Sequence, residues 1–200
     1  QKIADIYNMK MDSVRRNELG AQPVQADIKA IEAIKDKKEL SGMVAKMRRD
    51  GVGTFFGVYV GADAKNSTMN IIDIYQSGTN MRDYYLDNDD NTKRIQAAYR
   101  EYIQKLFLLA GFDSTRAKKA EEAVMKIETG LAKVQFTREQ TRDPQANYNK
   151  MSFAEFKKLS NAFDWDVIFD EMGLAAEKGK DLVVDQVPFI KGMDKVVKSA

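Results

Sequence analysis

The sequence predicts a mainly α-helical protein, a multi-helix domain with an inserted β-hairpin. Three observations predict it. Apolar residues recur at helical spacing along most of the 200 residues, the stretch 54–75 switches to the period of a strand, and the chain is 44% hydrophobic without a single cysteine. A chain of this length buries roughly 70% of the surface its unfolded form exposes, so a core can form without disulfides or a structural metal. No internal repeat or low-complexity tract divides it, and residues 1–200 read as one domain.

Ile3, Ile6, Tyr7, Met11 and Val14 open the chain at near-helical spacing, and Gly20 is a natural stop. A second helix begins around Pro23, because proline at the first helical position gives up only an N–H that would be unbonded there. Val24, Ile28, Ile31 and Ile34 form its apolar stripe. A run from Lys38 to Gly51 turns Leu40, Met43, Val44 and Met47 inward, the methionines as core filler.

Thr54–Val60 and Met69–Tyr75 are short and rich in β-branched and aromatic residues, and the polar stretch Gly61–Thr68 separates them. They read as a hairpin with a long connection. Two strands alone are marginal in water, so the hairpin needs helices to lie against. Phe55 and Tyr59 on one side, with Phe56, Val58 and Val60 on the other, predict burial of both faces.

Helical spacing returns at Asn91. Ile95, Tyr99, Tyr102, Leu106 and Leu109 line one helix ending at Gly111, and Ala117, Ala120, Val124, Ile127, Leu131 and Val134 line the next. Thr137 with Gln140, and Ser152 with Glu155, have the spacing of capping boxes and mark two later helix starts. Asp164-Trp165 opens a short aromatic helix, Leu182–Val184 is too short to assign, and Pro188 starts a final helix carrying Phe189, Ile190, Met193, Val196 and Val197.

Composition removes several chemistries. With no histidine and no cysteine, the commonest general base, thiolate catalysis and zinc–thiolate sites are all absent. The net charge is +2, from 32 basic and 30 acidic residues of interspersed sign, which disfavours nucleic-acid binding. No apolar run approaches the ~18–20 residues that span a bilayer. The first residue is Gln1 with no signal-like segment after it, which is expected of a processed or excised piece.

Asp87-Asn88-Asp89-Asp90-Asn91 resembles the opening of an EF-hand loop, but Thr92 and Ala98 stand where that loop needs glycine and glutamate. These carboxylates are better placed at the N-terminus of the following helix, where they complement its dipole. Asp164 with Asp166, or Glu121 with Glu122, are carboxylate pairs on paper only, because glycoside hydrolysis depends on a spatial separation that sequence does not give. There is no nucleophile elbow or S-x-x-K motif, and Gly51-Val-Gly53 precedes a strand where a nucleotide loop would follow one.

Two polar, turn-forming stretches carry aromatic and charged groups: Arg82-Asp83-Tyr84-Tyr85, and Arg142-Asp143-Pro144 followed by Tyr148-Asn149-Lys150-Met151. On residue types alone, they tie loops to the helical core. With the start Lys2–Ser13 and the hairpin Phe56–Asp63 leading to Ile74-Tyr75-Gln76, their order and spacing resemble the neprilysin family of zinc metalloendopeptidases over most of the chain. Thr79-Asn80 stands where that family has a glycine- and leucine-rich turn.

The resemblance implies two mostly helical lobes around an internal cavity, with the zinc-bearing His-Glu-x-x-His helix in the C-terminal lobe. None of that motif is present in this chain. It therefore implies a non-catalytic piece of the N-terminal lobe, which walls the substrate chamber of a parent that cleaves oligopeptides. Zinc belongs to the parent, no cofactor to this chain. No catalytic, metal or substrate-binding residue carries over, and Arg82, Asp83, Tyr84, Tyr85, Arg142, Asp143, Pro144, Tyr148, Asn149 and Lys150 carry over as structural motif positions. The implied partners are the C-terminal catalytic lobe and, in the parent, a peptide. The parent is expected outside the cytoplasm, in a periplasm or at a cell surface, and the absence of cysteine points to a bacterium. An apolar patch is expected where the other lobe docks, with self-association through it. The alternatives are a free-standing helical interaction module and a carboxylate-dependent hydrolase.

Overall fold

The computed structural model describes residues 1–199, apart from the side chain of Arg82. The first helical run is broken in two. Asp12 accepts the Arg15 N–H at 2.8 Å, and this cap ends α1 (Lys2–Met11) and starts α2 (Ser13–Leu19). Gly20 stops α2 in the left-handed region, a 3-10 turn at Gln22–Val24 carries Pro23, and α3 (Gln25–Glu32) follows. α4 (Lys37–Arg49) buries Ser41, Val44 and Ala45.

The apolar stripes of α1 to α3 lie where the spacing puts them, yet none of these helices has a buried residue; Ile3, Tyr7, Val14 and Ile31 are exposed. Amphipathic spacing specifies a face, and it carries no information on what covers that face.

β1 (Phe56–Asp63) and β2 (Asn66–Gln76) form the expected hairpin, but its connection is short. Pairing runs from Phe56 opposite Gln76 to Ala62 opposite Asn70, then slips so that Asp63 meets Asn66. The Asp63 carboxylate takes the Lys65 N–H at 2.9 Å and closes the turn. The polar residues Asn66, Ser67 and Thr68 are strand residues facing water, which is why no apolar alternation marked them.

Burial of both faces is partial: Ile71, opposite Gly61, is buried on the outer face. Phe56, Ile72 and Ile74 point into the core, whereas Tyr59 and Val60 are exposed towards the tip. On the outer face the Tyr75 ring lies so close over Gly57, its cross-strand partner, that a Cβ there would sit 2.1 Å from it.

Two strands extend the sheet. Leu182–Val184 belongs to β4 (Asp181–Val184), parallel to β2, and the stretch read as a turn before the capped helix supplies β3 (Asn149–Ser152), antiparallel to β4. The order is β1-β2-β4-β3. Neither strand is legible locally, because each is four residues long and takes its conformation from a distant neighbour.

The main core lies against the inner face of this sheet. Phe56, Phe156, Phe163, Trp165 and Phe189 fill it, with the Phe156 and Trp165 rings 4.5 Å apart and the Trp165 indole N–H bonded to the Ser160 carbonyl at 2.9 Å. Phe56 comes from β1, and the others from α7 (Phe153–Lys157), α8 (Trp165–Glu171) and α9 (Val187–Lys198) and their connections. Ser152 and Glu155 make the reciprocal capping box that starts α7. Thr137 and Gln140 make the same pair of bonds, but they open only a 3-10 turn, Gln140–Arg142.

A smaller cluster, including Met81, Tyr85, Ile103 and Met125, lies between α5 (Asp90–Leu109), α6 (Ser114–Ala132) and the 3-10 turn Arg82–Tyr85. α6 serves both clusters, through Leu131 on one side and Met125 on the other. The far end of the α5 stripe has no cover: Tyr102, Leu106 and Leu109 are exposed. No helix among the described residues is long and apolar enough to cross a membrane.

Candidate functional site

Ala117, Glu121, Val124, Glu128 and Leu131 alternate steps of four and three along α6, which puts two carboxylates on its inward stripe. Each is the centre of a polar network. Glu121 is fully buried and receives hydrogen bonds from the Arg100 guanidinium, from Lys118 Nζ at 2.6 Å and from Gln104 Nε2 at 3.1 Å. Burial pushes its carboxyl up, but the bonds from Lys118, Arg100 and Gln104 outweigh burial and hold the pKa below the ordinary glutamate value.

Glu128, 8% exposed, receives Asn80 Nδ2 at 2.7 Å, the Tyr85 hydroxyl at 2.7 Å and the Tyr99 hydroxyl at 2.9 Å. Tyr85 in turn accepts the backbone N–H groups of Asn80 and Met81. Burial and the bond to Glu128 raise the Tyr85 pKa far above that of a free phenol, and burial with the Glu128 charge pushes Tyr99 up to about 12. Both hydroxyls therefore act as donors at neutral pH. Sequence reading singles out Tyr85 but misses Glu128, whose only signal is a charge at a core position of a helix.

The other motif residues serve the same kind of purpose. Asp83 lies 3.5 Å from Arg138, and the Tyr84 carbonyl accepts Gln96 Nε2 at 2.7 Å. The Arg82 side chain, expected as a structural motif position, lies outside the described residues. Arg142 closes its 3-10 turn and is exposed, as is Pro144, while Asp143 caps the next turn by accepting the N–H groups of Gln145 and Ala146. Asn149 donates to the Val184 and Asp185 carbonyls, pinning β3 to the end of β4. Tyr148 and Lys150 both reach the hairpin tip, bonding the two Asp63 oxygens at 2.7 and 3.0 Å. Those bonds, after the Lys65 N–H, hold the Asp63 carboxyl down to about 2.

The carboxylates that sequence groups as candidate pairs or clusters have capping and ion-pair partners. Asp89 caps α5 through the Asn91 and Thr92 N–H groups, so the acidic loop is a helix start. Asp164 caps α8 and Asp166 pairs with Lys157 and Lys178; Glu121 is buried while Glu122 is exposed. Among the described residues no three carboxylates gather as a metal-holding group, and with no histidine or cysteine the donor set does not suit a zinc ion.

Beside Glu128 the surface is hollow. A cleft of about 380 Å³ opens between the hairpin base, at Phe55 and Gly78, and α6, at Ile127 and Leu131; an adjoining hollow of about 370 Å³ runs to Tyr102 and Phe107 of α5. The two share Asn80, Val124 and Glu128.

Asp185 is a different case. Burial pushes its carboxyl up to about 6, with the Asp73 charge adding to the shift. A folded pKa above the unfolded ~4 means the ionised form costs stability, and the cost appears as pH rises from about 4 through 6. Asp185→Asn is therefore expected to stabilise by about 1 kcal/mol at pH 7 after solvent screening, roughly 2–4 °C in melting temperature, and to change nothing at pH 4. Thermal melts at the two pH values check it; equal melting temperatures for both proteins at pH 7 would count against it.

The N-terminal model of peptidase family M13 matches residues 1–200. Endothelin-converting enzyme 1 of Cavia porcellus is 36% identical over 113 residues, covering 56% of this chain and 15% of that protein. Neprilysin-3 of Drosophila melanogaster is 28% identical over 148 residues, 71% of this chain and 19% of its own length. Among solved structures, Mycobacterium tuberculosis zinc metalloprotease Zmp1 in its open state superposes with a TM-score of 0.89 at 29% identity, over 99% of this chain and 31% of that one. PepO from Lactobacillus rhamnosis shares the fold, with a TM-score of 0.69 at 17% identity over 94% of this chain and 32% of its own. The chain thus spans a small part of the curated relatives and less than a third of each solved one.

Proposed function

The chain belongs to peptidase family M13, whose N-terminal model it matches over residues 1–200, and from that membership we propose that it is a non-catalytic piece of the N-terminal lobe of a zinc-dependent endopeptidase, folded as one domain and walling the chamber in which a parent enzyme cleaves oligopeptides. One observation carries the reading: a chain that matches this family throughout holds no residue set suited to zinc, since it has no histidine or cysteine and its buried carboxylates are tied to cations or hydroxyls. The uncovered stripes of α1, α2 and α5 support it, because exposed apolar faces of this extent are docking surfaces in larger assemblies. The catalytic lobe is their proposed partner, and in its absence the same faces would drive self-association. The reading includes an extracytoplasmic parent, and the lack of cysteine favours a bacterial one.

Incubating the isolated chain with zinc and an oligopeptide is expected to leave the peptide intact over hours, whereas the parent enzyme cleaves it. Chelator-sensitive products from the isolated chain would overturn the proposal.

A further inference from the structure

β1 forms one edge of the sheet, and the direction of its free hydrogen-bonding groups follows from the far side of the hairpin. Gln76 turns its N–H to the Gln186 side chain and Ile74 turns its C=O to the Asp185 N–H, so both direct main-chain groups away from β1. In an antiparallel ladder their partners Phe56 and Val58 then turn N–H and C=O outward, and the alternation continues through Val60 and Ala62. Among the described residues, no hydrogen bond outside the ladder uses a main-chain group of Val58, Val60 or Ala62.

Natural edges are guarded by brevity, charge, proline or a bulge. The opposite edge, β3, is four residues long and carries Lys150. β1 has no such guard from Phe56 to Ala62, a stretch without charge or proline whose bulge comes only after Ala62, and Tyr59, Val60 and Ala62 are exposed. Such an edge accepts an extended backbone with donors and acceptors at its own spacing. Charge selects a second copy: a two-fold axis brings each edge residue near its own image, so a charged edge repels itself and this uncharged one does not. The side chains fit as well. The Tyr59 ring lies over Gly61 of its own strand, where a Cβ would sit 2.3 Å from it, and an axis at Val60 sets Tyr59 opposite Gly61 of the other copy, so neither ring meets a facing side chain.

We propose that β1 pairs antiparallel with β1 of a second copy about a two-fold axis at Val60, with Val58 facing Ala62 of the other copy. About six main-chain hydrogen bonds then join the two edges into one continuous sheet. The stretch Val58–Ala62 is well short of the ~20–30 residues a side of a stable interface, so the pairing is weak and depends on concentration. It stands apart from the chamber-wall role and from self-association through the helical stripes, since it is read on the hairpin alone.

Because the chain has no cysteine, one introduced thiol reports the register. Val60→Cys puts the two thiols face to face on the axis, whereas Ala62→Cys faces Val58 and leaves the thiols ~14 Å apart along the strands, beyond disulfide reach. With diamide as oxidant at high protein concentration, Val60→Cys is expected to form a disulfide-linked dimer about tenfold faster than Ala62→Cys. Adding Ala62→Pro to Val60→Cys removes an outward N–H that the hairpin does not use, and should slow the cross-linking about tenfold. Adding Leu109→Asp instead, on the exposed stripe of α5, should leave the rate unchanged. Equal rates at Val60 and Ala62, an unchanged rate with Ala62→Pro, or loss of the dimer with Leu109→Asp overturns the proposal. No cross-linking at Val60 assigns the edge to a different partner and overturns it too. If the proline variant fails to fold, the comparison of the two single-cysteine variants decides alone.

Discussion

Phe156→Ala is expected to destabilise the chain by about 3–5 kcal/mol, lowering the melting temperature by roughly 10 °C. Phe156 is fully buried, and its ring touches three aromatic neighbours: Trp165 at 4.5 Å, Phe153 at 6.3 Å and Phe169 at 6.5 Å between centroids. The cost has two parts, the transfer of a large apolar side chain and the cavity left behind. Three rings held by α7 and α8 cannot close over the gap without leaving their rotamers, so the cavity part stays large. Urea unfolding of the wild type and variant measures it, with Leu109→Ala as a control at an exposed site, expected within about 0.5 kcal/mol of wild type. A loss below about 1 kcal/mol for Phe156→Ala would show that this cluster is not the centre of the core.

The double substitution Arg100→Met with Lys118→Met should have the next largest effect. It removes both cations from Glu121 and leaves a fully buried carboxylate with Gln104 alone. Stranding a buried charge costs about 3 kcal/mol or more, and the surviving amide bond puts the expected loss at the low end of that range. The sign with pH separates this from a packing effect. In the wild type the two cations help hold the Glu121 pKa below its usual value, so their contribution is present at neutral pH and fades as pH falls through the carboxylate range. In the double variant burial alone dominates and raises the pKa, so the penalty is greatest at pH 7 and shrinks towards pH 4.5. Melting temperatures that fall equally at both pH values would contradict the electrostatic account.

What the sequence made legible divides along a physical line. Elements stabilised by their own spacing and caps were read correctly: α4, α5 and α6 lie where the apolar stripes put them, and the Ser152–Glu155 box opens a helix as its bonds require. Elements stabilised by distant partners were not. β3 and β4 are too short to announce themselves, and the outer half of the hairpin alternates between polar residues on both faces. Thr137 and Gln140 show the limit of a local signal, since their bonds form as expected and the helix behind them does not.

The candidate site divides the same way. Tyr85, Tyr148 and Lys150 stand out because they lie in unusual polar stretches that mix aromatic and charged residues. Glu128 and Asp63, the carboxylates they bind, did not stand out as their partners, because a carboxylate becomes a hub only when chain segments far apart converge on it.

The parallel pairing of β2 with β4 carries a consequence for synthesis. Gln76, at the end of β2, is held by the side chain of Gln186, 110 residues further on. At roughly 5–20 residues per second, the ribosome takes on the order of 5–20 s to deliver that partner after the hairpin emerges. Throughout that interval the inner edge of β2 is an unpaired strand in a nascent chain, open to pairing with a neighbouring copy. Slowing translation between α6 and β4 should therefore lengthen the exposure, and yield of soluble protein would follow elongation rate as well as folded stability.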